Sequence, residues 1–442
     1  MGALTNYYVN WSTGNDYKGA SFTDGAYTSL TKTLVKANAF TASKVNHWLY
    51  LESNDGGSIV AGYYRIATWT DASTVILATD AGAGVDDDAA KCTQAAGTTA
   101  LPWRSVQGAL DLVTRDATNG DQINIADAAV QVNAAALTLA TYGTPTEAAP
   151  LAFRGYTSSA NDGGMGEIDC GGVTLWAAAT YSHVLLAWLE IHSGGNNHLI
   201  GINSGVQWLV HCELHKGASS PSSKFLLNMS AGNAVIDCYI HDAGTTGGAI
   251  VGASLADSNY IYNCPTGIQN VTMVRNNIVH NCDTVGIRVG ADGQTIVNNS
   301  VYTSNASTGS GIDNTSGATA HLVANNIVEG YSGAGGDSIL LTPDTRVAGY
   351  NAWYNCTAAP AYGDLHIPIG GDQALAASPF TNPATGDFSV GTNVKALAFP
   401  GAWFGPAGTT NYLDIGAVQR QEPAGSSGGL IRHPGMAGGM NA

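Results

Sequence analysis

Val274-Arg275-Asn276-Asn277-Ile278-Val279-His280 is echoed downstream by Ile296-Val297-Asn298-Asn299-Ser300-Val301-Tyr302 and Val323-Ala324-Asn325-Asn326-Ile327-Val328-Glu329. Five more segments align with these three: Leu186–His192, Leu209–His215, Val235–His241, Ala256–Tyr262 and Ala348–Tyr354, at a mean spacing of about 23 residues. Connections rich in Gly, Asn, Ser and Thr separate the copies. A period of this size marks a solenoid, in which a repeat buries its apolar positions only by stacking on its neighbours.

The columns of the alignment say which kind of solenoid. The first (Leu186, Leu209, Val235, Ala256, Val274, Ile296, Val323, Ala348) and the sixth (Ile191, Leu214, Ile240, Ile261, Val279, Val301, Val328, Trp353) are wholly apolar and are expected to point inward. The third and seventh are mostly polar or aromatic, an alternation of period two that predicts short stacked strands. The fourth column runs Leu189, Cys212, Cys238, Asn259, Asn277, Asn299, Asn326, Asn351. Stacked asparagines suit a buried bend between strands, where each amide can bond its own backbone and the amide of the next rung.

On these residues the chain resembles the right-handed parallel β-helix proteins of the pectate-lyase-like superfamily, which includes phage tailspikes. Other segments carry the same resemblance. Ser105-Val106-Gln107-Gly108-Ala109-Leu110-Asp111-Leu112-Val113 reads as a short helix with Ser105 as N-cap, and Gly120-Asp121-Gln122-Ile123 follows it, as in the cap and first strand of such folds. Ser378-Pro379-Phe380, Gly386-Asp387-Phe388 and Asp414-Ile415-Gly416-Ala417 are similar to their closing segments. The resemblance implies an all-β fold: a right-handed single-stranded parallel β-helix with an N-terminal capping helix and a small β-rich N-terminal module.

Three regions are expected. Residues 1–100 form the N-terminal module, a cap or a docking element, with strands around Lys44–Tyr50, Gly62–Trp69 and Ser73–Leu77 and turns at Asn54–Gly57 and Thr70-Asp71. Residues 101–420 form the β-helix. Residues 421–442 form a Gly/Pro/Met-rich tail whose composition cannot order itself alone.

Composition narrows the function. Of 442 residues, 33 are Asp or Glu and 17 Lys or Arg, a net charge of −16, which argues against nucleic acid as a partner. No apolar run is long enough to cross a membrane as a helix, and the first residues show neither the basic nor the apolar region of a signal peptide. The expectation is a chain made in the host cytoplasm and released in a virion by lysis. Seven scattered cysteines without a CxxC pair read as small buried hydrophobes, not as a zinc site or a disulfide framework.

Candidate chemistry lies in the outward columns. Glu190, His192, Glu213, His215, Tyr239 and His241 fall on one face of three successive rungs, about 4.8 Å apart, with Asp237 and Asp242 nearby. Carboxylates and imidazoles so placed can share a proton, act as nucleophile and acid, or hold a metal. The more economical reading is a solvated or subunit-facing ladder, and no cofactor or metal is assigned. Asp86, Asp87 and Asp88 read as a solvated acidic turn, with calcium binding as the less favoured use. The polygalacturonase set Asn-Thr-Asp, Gly-His-Gly and Arg-Ile-Lys is missing, as is the Trp-x-Asp-His segment of pectate lyases, so no catalytic role carries over from the resemblance. The expected function is a structural virion protein of a tailed phage, a spike, fibre or capsid-decoration subunit. It is expected to be homotrimeric, to contact other virion proteins through its N-terminal module or tail, and to bind host glycans. A polysaccharide lyase or hydrolase, and a bacterial surface adhesin, are the alternatives.

Overall fold

A computed structural model describes residues 4–10, 22–40, 45, 47–52, 59–82, 87–92, 102–127, 131–132, 135–176, 181–193, 198–201, 205–215, 224–245, 247–314, 321–341, 346–362, 366–394, 398 and 415–418. The C-terminal tail, the Asn54–Gly57 turn, Asp86 and Asp414 lie outside them. The protein is all-β apart from one α-helix and two single-turn 3₁₀ segments among the described residues, and its main body is a right-handed parallel β-helix. No described helix is long and apolar enough to cross a membrane. Contacts divide the chain into two compact units, residues 1–171 with 176–190, and 172–175 with 191–442.

In the first unit, strands Thr5–Val9, Asp121–Ala126, Leu151–Tyr156 and Val184–Ala187 form parallel pairs in that order. The first strand of the chain, assigned from sequence to the N-terminal module, thus runs in a coil sheet. Its alternating register with Asp121–Ala126 buries Val9, and parallel pairing covers an edge that would otherwise stand open. The module itself is a closed barrel of six antiparallel strands, ordered Phe22–Thr28, Thr33–Val35, Thr74–Leu77, Gly62–Asp71, Trp48–Glu52 and Asp87–Cys92. Tyr27, Leu34, Leu49, Leu51, Ile66, Val75 and Leu77 fill its interior. Asp87 and Asp88 therefore stand in a strand, not in the acidic turn expected from their charge, because that strand closes the barrel.

Helix Val106–Leu112 starts where Ser105 Oγ accepts from Gly108 N at 2.9 Å, as its cap chemistry predicts. It buries Val106, Ala109, Leu110 and Leu112. His47 of the barrel meets the helix residue Asp111, Nε2 to Oδ2 2.7 Å, and the Arg104 guanidinium lies 3.5 Å from the centre of the Tyr63 ring. The barrel and the helix are joined by these buried polar and cation–π contacts.

The second unit is the repeat. Sheet one stacks Leu209, Val235, Ala256, Val274, Ile296, Val323 and Ala348 in one register. Sheet two aligns His241, Tyr262, His280, Tyr302, Glu329 and Tyr354. A third parallel sheet runs from Ile200–Gly201 to Asp337–Leu341. The first column is buried throughout and so is the sixth, except that Trp353 is half-buried.

The bend falls one residue earlier than the asparagine column suggested. Every third-column residue adopts a left-handed backbone, from Asp237 at φ 52° to Ser258 and Asn325 at φ 59°. The chain turns there, and the fourth residue then points its side chain inward. Asn259, Asn277, Asn299, Asn326 and Asn351 form a continuous ladder, each Nδ2 reaching the next Oδ1 at 2.9–3.0 Å. Each Oδ1 also accepts the backbone N–H of the preceding rung, from Cys238 to Asn326, at 3.0 Å. Asp372 ends the series by accepting from Asn351 N. All seven cysteines are free thiols, six of them buried.

The segments likened to closing elements lie along sheet two. Phe380–Asn382 and Asp387–Val390 form a hairpin around the turn Pro383–Thr385. Phe380, Phe388, Val390 and Ile415 join Tyr302, Ile327 and Ala352 in one apolar cluster, flanked by Tyr260 and Ile278. Over these rungs the outer face of sheet two is covered by the chain's own C-terminal hairpin.

Candidate functional site

Sheet two continues beyond the hairpin's cover to strands Tyr239–His241 and Glu213–His215, paired Glu213 to Tyr239 and Leu214 to Ile240. The period of two sends Leu214 and Ile240 into the core and leaves Glu213, His215, Tyr239 and His241 on the outer face. Stacking follows from the repeat. The His192 and His215 rings lie 5.1 Å apart, and those of His215 and His241 lie 4.8 Å apart within 6° of parallel. Tyr239 stacks on His241 at 4.3 Å.

His241 is held from both sides. Its Nε2 is 3.2 Å from Glu213 Oε1 and its Nδ1 2.9 Å from Asp242 Oδ2, while Asn263 Nδ2 donates to the other Asp242 oxygen. Burial opposes protonation of His241, but the hydrogen bonds and charges of Glu213 and Asp242 outweigh it and raise its pKa. Burial pushes the Asp242 carboxyl up, yet its bonds to His241 and Asn263 and the nearby imidazole charge bring it below its usual range. Burial and the charges of Glu213 and Asp242 raise the Tyr239 phenol to about 12. The His241 ring thus sits between two carboxylates at a half-buried surface.

Of the residues nominated from sequence, Glu213, His215, His241 and Asp242 come together, and His192 extends the ring stack. Asp237 stands at the third-column bend, where Oδ2 meets His211 Nδ1 at 2.7 Å. Glu190 is a half-buried strand residue of the other compact unit. Asn263 was missed, and so was the cleft beside it. Ser193, Asp242, Asn263, Asn281 and Asn355 each follow a seventh-column residue and adopt a left-handed backbone, at φ 50–63°. The eighth column (Ser193, Lys216, Asp242, Asn263, Asn281, Thr303, Gly330, Asn355) is rich in Asp, Asn, Ser and Gly, a second bend signal one place beyond the seven aligned positions.

The second bend borders a cleft of about 480 Å³, lined by Asp242, Gly244, Thr245, Asn263, Cys264, Pro265, Asn281, Asp283 and Thr284 from three successive rungs. Its polar side chains are positioned in advance. Asp283 accepts from Thr303 Oγ1 at 2.6 Å and Asn305 Nδ2 at 2.7 Å. Asn281 Oδ1 accepts from Ser304 N and Oγ. Asn263 and Asn281 each engage one end of the amide in these bonds, which leaves Oδ1 of the first and Nδ2 of the second with bonding capacity at the cleft. Fixed amides and carboxylates beside an open polar groove can bind hydroxyl-rich ligands, and the adjoining Glu213, His215 and His241 offer nitrogen and oxygen donors to a cation.

In comparisons with known proteins, residues 182–328 match the family described as right handed beta helix region, over the rungs that carry the ladder, the ring stack and the cleft. No curated protein matches the chain.

Proposed function

We propose that the protein is a structural, glycan-binding subunit of a tailed-phage particle, a spike, fibre or decoration protein, with the cleft from Asp242 to Thr284 as its sugar site. The observation that carries the binding part is the row of fixed polar side chains, Asp242, Asn263, Asn281 and Asp283, along one groove. Carboxylate and amide groups bond vicinal hydroxyls in pairs, and side chains already held by Ser304, Thr303 and Asn305 lose little freedom on binding. The structural part is supported by the internal amide ladder and by the cover over sheet two, which suit a body that must survive outside a cell. Homotrimer formation and a virion location belong to the same proposal.

The test is binding to polysaccharides of bacterial surfaces, with mass spectrometry of purified particles beside it. Saturable binding to one glycan, weakened about tenfold by Asn281→Ala, is expected, since a lost hydrogen bond to a ligand costs roughly 1–1.5 kcal/mol. Lack of binding to any glycan by the wild type would remove the sugar site, and absence of the chain from particles would remove the virion role.

A second reading, a polysaccharide-cleaving enzyme, draws on the Glu213–His241–Asp242 arrangement, in which an imidazole is set between carboxylates. It requires new reducing or unsaturated ends from a bound glycan, and Glu213→Gln should abolish them.

A further inference from the structure

Beside the cleft, Glu213, His215 and His241 each offer one ligand atom, all within 4.8 Å of one another. We propose that these three side chains form a binding site for one divalent transition-metal ion of the zinc class. Two imidazoles and a carboxylate suit Zn²⁺, Co²⁺ or Ni²⁺, whereas Ca²⁺ and Mg²⁺ take oxygen ligands.

The contact between His241 and Glu213 carries the argument. With Nδ1–H directed at Asp242, the Nε2 of a neutral His241 presents a lone pair, and Glu213 Oε1 opposite is also an acceptor. Two acceptors at 3.2 Å need a cation between them, a proton or a metal ion. Two donors bound at about 2.1 Å to one tetrahedral ion lie about 3.4 Å apart, so the pair already spans nearly the edge of such a site. Asp242 supplies the outer support common to metal-bound histidines, fixing the tautomer through Nδ1, and Asn263 anchors Asp242 in turn. His215 comes from the neighbouring rung with its ring parallel to that of His241. Parallel rings cannot both aim a lone pair at one point, so His215 tilts out of the stack on binding, and a fourth position is open to water or a ligand oxygen.

The proposal does not depend on the glycan site. Equilibrium dialysis of the full chain against Zn²⁺ with elemental analysis, and against Co²⁺ with visible absorption, tests it. One ion per chain is expected, with the strong visible bands of tetrahedral Co²⁺ and without competition from Ca²⁺. Glu213→Gln and His241→Gln should each weaken binding at least about 100-fold, and Asp242→Asn about 10- to 100-fold. Circular dichroism establishes that each variant is folded. X-ray absorption of the zinc-loaded wild type gives a reading free of substitutions, and two imidazole neighbours are expected. Failure of the wild type to take up either ion, binding that survives the Glu213→Gln/His241→Gln pair, or a shell of sulfur or of oxygen alone would overturn it.

Discussion

Asn299 shows how much a single side chain can do in this fold. Its Nδ2 reaches Val274 O, Val297 O and Asn326 Oδ1, and its Oδ1 accepts from both nitrogens of Asn277. Asn299→Leu would leave these buried groups without partners, and urea unfolding should show a loss of about 2–4 kcal/mol. A loss below about 0.5 kcal/mol would mean that the ladder is not stabilising. At the surface, the His241 imidazole should titrate above 6.5, because Glu213 and Asp242 outweigh its burial. A histidine whose pKa is raised by folding stabilises the protein below its unfolded value and loses that contribution as pH rises through the folded value. Glu213→Gln should lower the His241 midpoint in an NMR titration, and an unchanged midpoint would contradict the pairing. The ladder was legible in the sequence because the fourth column stacks five asparagines, whose amides can bond one another from rung to rung. The left-handed backbone at the third column was not, because the bulky Trp188 and Tyr350 share it with asparagine, and such residues rarely adopt it.

The C-terminal hairpin is the element with the clearest pH signature. Beneath it lie Glu329, raised to about 7 by burial against a bond from Ser378 Oγ, and His280, lowered by burial to about 4 and packed against Phe388. The raised glutamate stabilises below its unfolded value and loses that contribution, at most about 3 kcal/mol, as pH climbs from 4.5 to 7. The lowered histidine acts in the opposite direction, since stability falls as pH drops from 6.5 toward 4. Amide exchange of Phe380–Val390 should be slowest near pH 5–6 after correction for intrinsic rates. Glu329→Gln should remove the loss on the alkaline side, and a protection profile flat in pH would contradict this. Phe388→Ala should cost about 3–4 kcal/mol, read from urea unfolding, by opening the cluster around Tyr302. The resemblance marked Ser378-Pro379-Phe380 and Gly386-Asp387-Phe388 as closing segments, but not where they lie. A repeat pattern reports which positions face outward and is silent on what covers them. Barrel closure was illegible for a similar reason, since pairing between Phe22–Thr28 and Asp87–Cys92 spans a long sequence separation.

At the scale of the whole molecule, the 23-residue period determined the architecture and the outward columns brought four candidate residues to one place. The cleft escaped notice because it borders the second bend, one residue beyond the seven aligned columns. The net charge of −16 sets a further expectation: no retardation of DNA in a mobility assay at low salt, where electrostatic binding is strongest. A shift under those conditions would point to a basic patch that the composition does not suggest. A crystal structure of the full chain grown with an oligosaccharide from the bacterial surface tests the account most directly. It should show the amides of Asn259 to Asn351 in one unbroken row and sugar hydroxyls bonded to Asn263, Asn281 and Asp283. A broken row, or sugar bound elsewhere with the cleft filled only by water, would contradict it.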